Sequence, residues 1–231
     1  MTDISIPAGD DGSFSAYVAK PAGGGPAPGL VVIQEIFGVN QVMRDLCDAF
    51  AAQGWLAVCP DLFWRQEPGV QITDKTQEEW NRAFALMNGM DQDKRWTTSR
   101  PPCRGCARIR IAPAKRVGRL LLGRRLAFMM AARSDSDANV SYYGVGLDGL
   151  VGEAASITKP LLMHIAEKDQ FVPAEAREKV LAAVKGNPNV TAHVYPGVDH
   201  AFARAGGAHF EPEAAELANG RTAAFFKQHL G

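Results

Sequence analysis

Short apolar runs alternate along this chain with longer stretches whose apolar residues recur every three or four positions. Ser13–Ala19 alternates polar and apolar side chains, which predicts a half-buried strand. Residues 30–33, 55–59, 140–144, 161–165 and 190–195 are short apolar runs of the length a buried strand needs. Between them lie stretches with helical spacing. In residues 39–53, Val42, Leu46 and Phe50 share one face, and Gly54 supplies a stop signal. Residues 78–87, 126–133, 174–185 (closed by Gly186) and 212–229 read as further helices. Residues 21–29 form a Pro/Gly loop.

Strands alternating with helices predict an α/β fold: a mostly parallel central sheet with helices on both faces. Sheets of this kind place their sites beyond the carboxyl ends of the strands. No internal repeat or linker divides residues 1–231, so one domain is expected.

Two strand ends carry candidate chemistry. The run 160–165 leads to Asp169, and the run 190–195 leads to His200. A carboxylate after one strand and an imidazole after the next is how an α/β-hydrolase builds the acid and base of its relay. Glu35 follows the run 30–33 and falls at the same edge.

The motifs around these residues point to a family. Gln34-Glu35-Ile36-Phe37-Gly38-Val39-Asn40, Ala57-Val58-Cys59-Pro60-Asp61-Leu62, Tyr142-Tyr143-Gly144-Val145-Gly146, Asp169-Gln170-Phe171-Val172-Pro173 and His200-Ala201-Phe202-Ala203-Arg204 occur in this order. Together they closely resemble the dienelactone hydrolases (carboxymethylenebutenolidases), from about residue 4 to residue 230, with an interruption between residues 95 and 124. The resemblance implies an α/β-hydrolase fold and a Cys-His-Asp relay that opens a lactone ester. It gives Asp169 and His200 the acid and base roles. Glu35 falls on the glutamate that pairs with the resting thiol, and Arg204 on the arginine that holds the substrate carboxylate. Backbone N–H groups of Ile36 and Leu122 would form the oxyanion hole, and Phe37 would touch substrate. No metal or organic cofactor is implied. The partner is a small-molecule lactone or ester, and the protein is expected to be a monomer.

The nucleophile is missing. The family's nucleophile turn reads Gly-Tyr-Cys-Leu-Gly-Gly-Arg-Leu-Ala-Phe, and this chain matches its end with Arg125-Leu126-Ala127-Phe128. Counting back puts Leu121 at the cysteine position. Leucine has no ionisable atom and cannot form an acyl-enzyme. Residues 119–124 can be written with the codons CGG CTA CTG CTT GGG CGG, and one base later the same letters encode Gly-Tyr-Cys-Leu-Gly. We therefore read residues 95–124 as an anomalous segment translated out of frame.

Charge supports that reading. The formal net charge is zero, yet residues 95–125 hold nine Arg, one Lys and no acidic residue, leaving 15 basic side chains to face all 25 acidic ones elsewhere. Arginines there would fall in or beside the core, where unpaired charge costs several kcal/mol per group, so poor solubility is expected. The basic block lacks a recognisable nucleic-acid-binding fold, and no nucleic-acid partner is expected. No apolar run reaches the roughly 18 residues of a membrane span, and the N-terminus does not resemble a secretory leader. Four cysteines suggest no disulfide framework, which favours a cytoplasmic protein. Cys103 and Cys106 have half the spacing of a zinc site but lack a second pair. Cys59 and His164 lie within apolar strands and read as core residues. Trp80 and Phe84, four apart on a helix, suit either the core or a pocket wall. Leu121 also leaves room for a second reading, a non-catalytic hydrolase-fold protein that binds a small carboxylate or a protein partner.

Overall fold

The computed structural model describes residues 2–8, 12–90, 117–121 and 124–231, with side chains omitted at 117–121 and 124. They fall into two compact units, Met1–Val117 and Gly118–Gly231.

The first unit carries β1 (Thr2–Pro7), β2 (Ser13–Ala19), β3 (Gly29–Ile33), α1 (Gln41–Ala52), β4 (Leu56–Pro60) and α2 (Gln77–Asn88). β1 pairs antiparallel with β2, β2 antiparallel with β4, and β4 parallel with β3. β1 was not evident from its sequence, because only Ile6 of its six residues is buried. β2 departs from simple alternation. Residues Ala16 to Ala19 are all buried, because β2 lies between β1 and β4 and α1 packs across it. α1 starts where Asn40 Oδ1 accepts the Met43 N–H at 3.3 Å, satisfying one free donor of the first turn. Asn40 also donates from Nδ2 to the Ile72 carbonyl at 2.8 Å, tying the helix start to the following loop.

The second unit carries β5 (Val117–Leu121), α3 (Arg124–Arg133), β6 (Ala138–Tyr142), two 3₁₀ turns (Leu147–Gly149 and Val151–Ser156), β7 (Leu161–Ala166), α4 (Ala174–Val184), β8 (Val190–Tyr195) and α5 (Pro212–Leu230). β5 to β8 pair in chain order and all run parallel. The register aligns Leu121 with Ser141, Tyr142 with His164, and Ala166 with Tyr195. The carboxyl ends of the four strands therefore share one rim. β6 and β7 are buried at every position, as parallel strands covered on both faces must be.

A buried polar chain fastens α5 to this sheet. Tyr142 donates its hydroxyl to Asn219 Oδ1 at 3.0 Å. Its oxygen then takes the Thr222 hydroxyl proton at 2.8 Å. That leaves Thr222 Oγ1 to accept from His164 Nε2 at 2.9 Å, and His164 Nδ1 to accept from the Tyr195 hydroxyl at 2.7 Å. Strands β6, β7 and β8 thus contribute one residue each and helix α5 two. Burial is the main cause that pushes His164 down to about 3, so the ring is neutral, as the chain of donors requires.

Candidate active site

The loop after β7 is built around Asp169. Its Oδ1 accepts the Phe171 N–H at 2.9 Å, a short turn that fixes the carboxylate from behind. Its Oδ2 lies 2.7 Å from His200 Nδ1. Both residues are buried, at 5% and 7% exposure, so their contact is shielded from water and worth more than the same pair at the surface. This is the pairing that sequence order predicted. Asp169 stands three residues past β7 and His200 five past β8, on the rim the parallel register creates.

Further hydrogen bonds lace the two loops together. Glu167 N–H donates to the Tyr195 carbonyl at 3.0 Å and Lys168 N–H to the Val198 carbonyl at 2.9 Å. Glu167 Oε2 accepts the Gly197 N–H at 2.8 Å. Asp199 Oδ1 accepts the Gln170 N–H at 2.9 Å and the His200 N–H at 2.6 Å. Desolvation, the largest single effect, raises the Asp199 pKa, but these backbone N–H bonds and the nearby imidazoles together hold it below the usual carboxylate value. Sequence reasoning passed over Asp199, because an aspartate in an exposed loop carries no local signal of what it will bridge.

Arg204 lies four residues past His200 and is buried at 7% exposure. Its N–H donates to the Ala201 carbonyl at 2.9 Å, which keeps it in the same compact turn as the histidine. Leu121 is the last residue of β5, and α3 begins at Arg124. A strand end followed within three residues by a helix is the local geometry of a nucleophile turn. Leu122 lies outside the described residues, as do Cys103, Cys106 and most of the anomalous segment.

Glu35, Ile36 and Phe37 belong to the first unit, in the turn between β3 and α1. Gly38 shapes this turn, at φ +83° and in a bridge with Gln71. A Cβ at Gly38 would stand 1.8 Å from the Val70 carbonyl oxygen, so only glycine allows the backbones to approach so closely. Phe37 is buried and meets the edge of Trp80 with ring centroids 5.0 Å apart. Trp80 in turn packs on Phe84 at 5.5 Å, and both are only partly buried. Cys59 and His164 are fully buried, as read from their strands.

Parallel strands under helices, with an Asp–His pair at the carboxyl rim, define an α/β-hydrolase. The family model for the dienelactone hydrolase family matches residues 14–230. The chain is 36% identical over 227 residues to a carboxymethylenebutenolidase of Pseudomonas putida, covering 94% of this chain and 92% of that one. It is 35% identical over 228 residues to carboxymethylenebutenolidase 1 of Cupriavidus pinatubonensis, with 95% and 93% covered. A Klebsiella pneumoniae crystal structure with a provisional dienelactone hydrolase assignment superposes with a TM-score of 0.86 at 29% identity, covering 98% of each chain. This chain belongs to the dienelactone hydrolase family, and its relatives are hydrolases. Among the described residues, no helix is long and apolar enough to cross a membrane.

Proposed function

We propose that this chain is built to open a carboxylate-bearing unsaturated lactone, of the 4-carboxymethylenebut-2-en-4-olide type, and that Leu121 occupies the position of its nucleophilic cysteine. The observation that carries this reading is the buried Asp169–His200 pair, 2.7 Å apart, on the rim where β5 ends at Leu121. Both units would serve one hydrolase domain, which a family match over residues 14–230 supports.

With cysteine at 121, a thiolate would attack the lactone carbonyl and form a tetrahedral intermediate. The carbonyl–ring-oxygen bond would then break, and the ring oxygen would leave with a proton from His200. Water, deprotonated by His200, would cleave the thioester and release the acid and the thiol. Asp169 would hold the imidazole with Nδ1–H toward itself and Nε2 toward the reacting atoms. Arg204 would hold the substrate carboxylate with parallel hydrogen bonds. The family likeness assigns Glu35 to the resting thiol, the Ile36 and Leu122 N–H groups to the oxyanion, and Phe37 to the substrate wall. With leucine at 121 none of this chemistry begins, and the literal chain would be inactive.

Hydrolysis of the lactone and of a neutral activated ester by the Leu121→Cys protein tests the reading. Arg204→Ala in that background should raise KM for the carboxylate-bearing lactone at least tenfold and leave KM for the neutral ester unchanged. An equal effect on both substrates would remove Arg204 from carboxylate binding. If Leu121→Cys hydrolyses neither substrate while the literal chain binds a small carboxylate, the non-catalytic reading gains. Sequencing the gene across codons 90–126 tests the out-of-frame origin, since a continuous frame without a hidden Gly-Tyr-Cys would remove it.

A further inference from the structure

Two non-glycine residues among those described have left-handed backbones, Tyr143 at φ +71° and Ala201 at φ +62°. For a bulky residue such as tyrosine this conformation is a costly outlier, and outliers of this kind gather at functional sites. Both flank the same imidazole. Ala201 follows His200 directly, and the Tyr143 ring lies 4.8 Å from the His200 ring, tilted by 54°.

The Tyr143 backbone is fixed from both sides. Its N–H donates to the His164 carbonyl at 2.7 Å, and the Gly144 N–H closes back on the Tyr142 carbonyl at 3.0 Å. Its ring is buried at 1% exposure and also meets the Phe202 ring edge-on at 5.6 Å. A second ring reaches His200 from the other loop. Phe171 stands 4.9 Å away at 86°, an edge-to-face contact. The N–H of this same Phe171 holds Asp169 Oδ1. The residue that anchors the carboxylate therefore also presses on the imidazole.

We propose that Tyr143 and Phe171 are positioning residues, an aromatic clamp that holds the His200 ring on Asp169. This rests on the relay reading above. Rings packed at 4.8 Å and 4.9 Å leave the imidazole little room to turn. The clamp holds through the step in which His200 takes the proton. The aligned ring then delivers that proton to the leaving oxygen instead of rotating off Asp169. The strain at Tyr143 is what aims its ring from the end of β6 at a residue past β8.

The charged and titratable groups near His200 are Asp169 at Nδ1, Asp199 on the backbone N–H, and His209, which stands 3.4 Å from Asp199. Arg204 in the same turn and the Tyr143 phenol belong to the same set among the described residues. Phe171→Leu leaves all of these groups in place, and Tyr143→Leu removes only the phenol.

The test is an NMR measurement on His200 in the full-length protein. The literal chain and a frame-restored chain both carry every clamp residue, so either serves. Phe171→Leu and Tyr143→Leu should each speed exchange of the Nδ1-bound proton with water about tenfold. They should also remove the ring-current displacement of the imidazole carbon-bound protons. Phe171→Tyr should restore the slow exchange. Phe225→Leu, which alters a ring pair on α5, should leave it unchanged. Folded Phe171→Leu protein whose Nδ1 proton exchanges as in the parent would overturn the clamp, even if Tyr143→Leu fails to fold. Asp169→Asn serves as the separate arm: if it leaves the His200 resonances untouched, the relay itself is wrong.

Discussion

One oxygen of Asp169 meets His200 Nδ1 at 2.7 Å, while its other oxygen is held by the Phe171 N–H at 2.9 Å. The carboxylate cannot turn without breaking one of the two bonds. The imidazole therefore keeps Nδ1 on the carboxylate.

Asp169→Asn should disable the proton carrier without removing it. An amide can present its NH₂ to Nδ1 and so favour the wrong tautomer. In the Leu121→Cys background we expect kcat on an activated ester to fall about 10²- to 10⁴-fold, with KM little changed. Steady-state kinetics of the double variant check this.

Thr222→Val should destabilise the second unit. Valine keeps the shape but leaves the buried His164 Nε2 and the Tyr142 hydroxyl oxygen without their common partner. Orphaning buried groups of this kind costs about 1–3 kcal/mol. Urea unfolding should show the midpoint falling with the slope unchanged.

His164 should make the protein acid-sensitive. Its folded pKa is lowered to about 3, mainly by burial, whereas an unfolded imidazole titrates near 6.5. Between these values the unfolded chain holds more protons, so falling pH favours unfolding. The stability tied to the neutral ring is complete above about pH 6.5 and is lost as pH falls toward 3, by roughly 2 kcal/mol at pH 5. His164→Gln should flatten this part of the stability–pH curve, measured by denaturant unfolding at several pH values.

Gly38→Ala should disturb the turn that carries Glu35, Ile36 and Phe37. The added methyl would stand 1.8 Å from the Val70 carbonyl oxygen, at a φ of +83°. Something must move, and we expect a loss of about 2 kcal/mol or more. Thermal unfolding of the variant against the parent measures it.

Much of this architecture was legible because strands β3, β4 and β6 to β8 are short apolar runs separated by helical periods, whereas β5 lies in the basic segment and was not read as a strand. Asp169 and His200 were legible because each follows such a run in a recognisable motif. What escaped has no local period. β1 buries one residue and gains its place from β2. The 3₁₀ turns of residues 147–156 are too short to repeat an apolar position. The His164–Thr222 contact joins residues 58 apart, a threonine on a helix to a histidine on a strand. Neither sequence neighbourhood hints at the other. Tyr143 stood inside a quoted motif, yet its left-handed backbone and its contact with His200 appear only in three dimensions. Gly144 and Gly146, at φ +83° and +72°, turn the chain just after it.

The most direct measurement compares ester hydrolysis by the literal chain, the Leu121→Cys protein and the Leu121→Cys/His200→Ala protein on one activated ester. The account expects turnover from the cysteine form alone, with an acyl adduct on residue 121 visible by intact-protein mass. Turnover by the literal chain that disappears on His200→Ala would contradict it, because a relay working without a group at position 121 would need a nucleophile elsewhere.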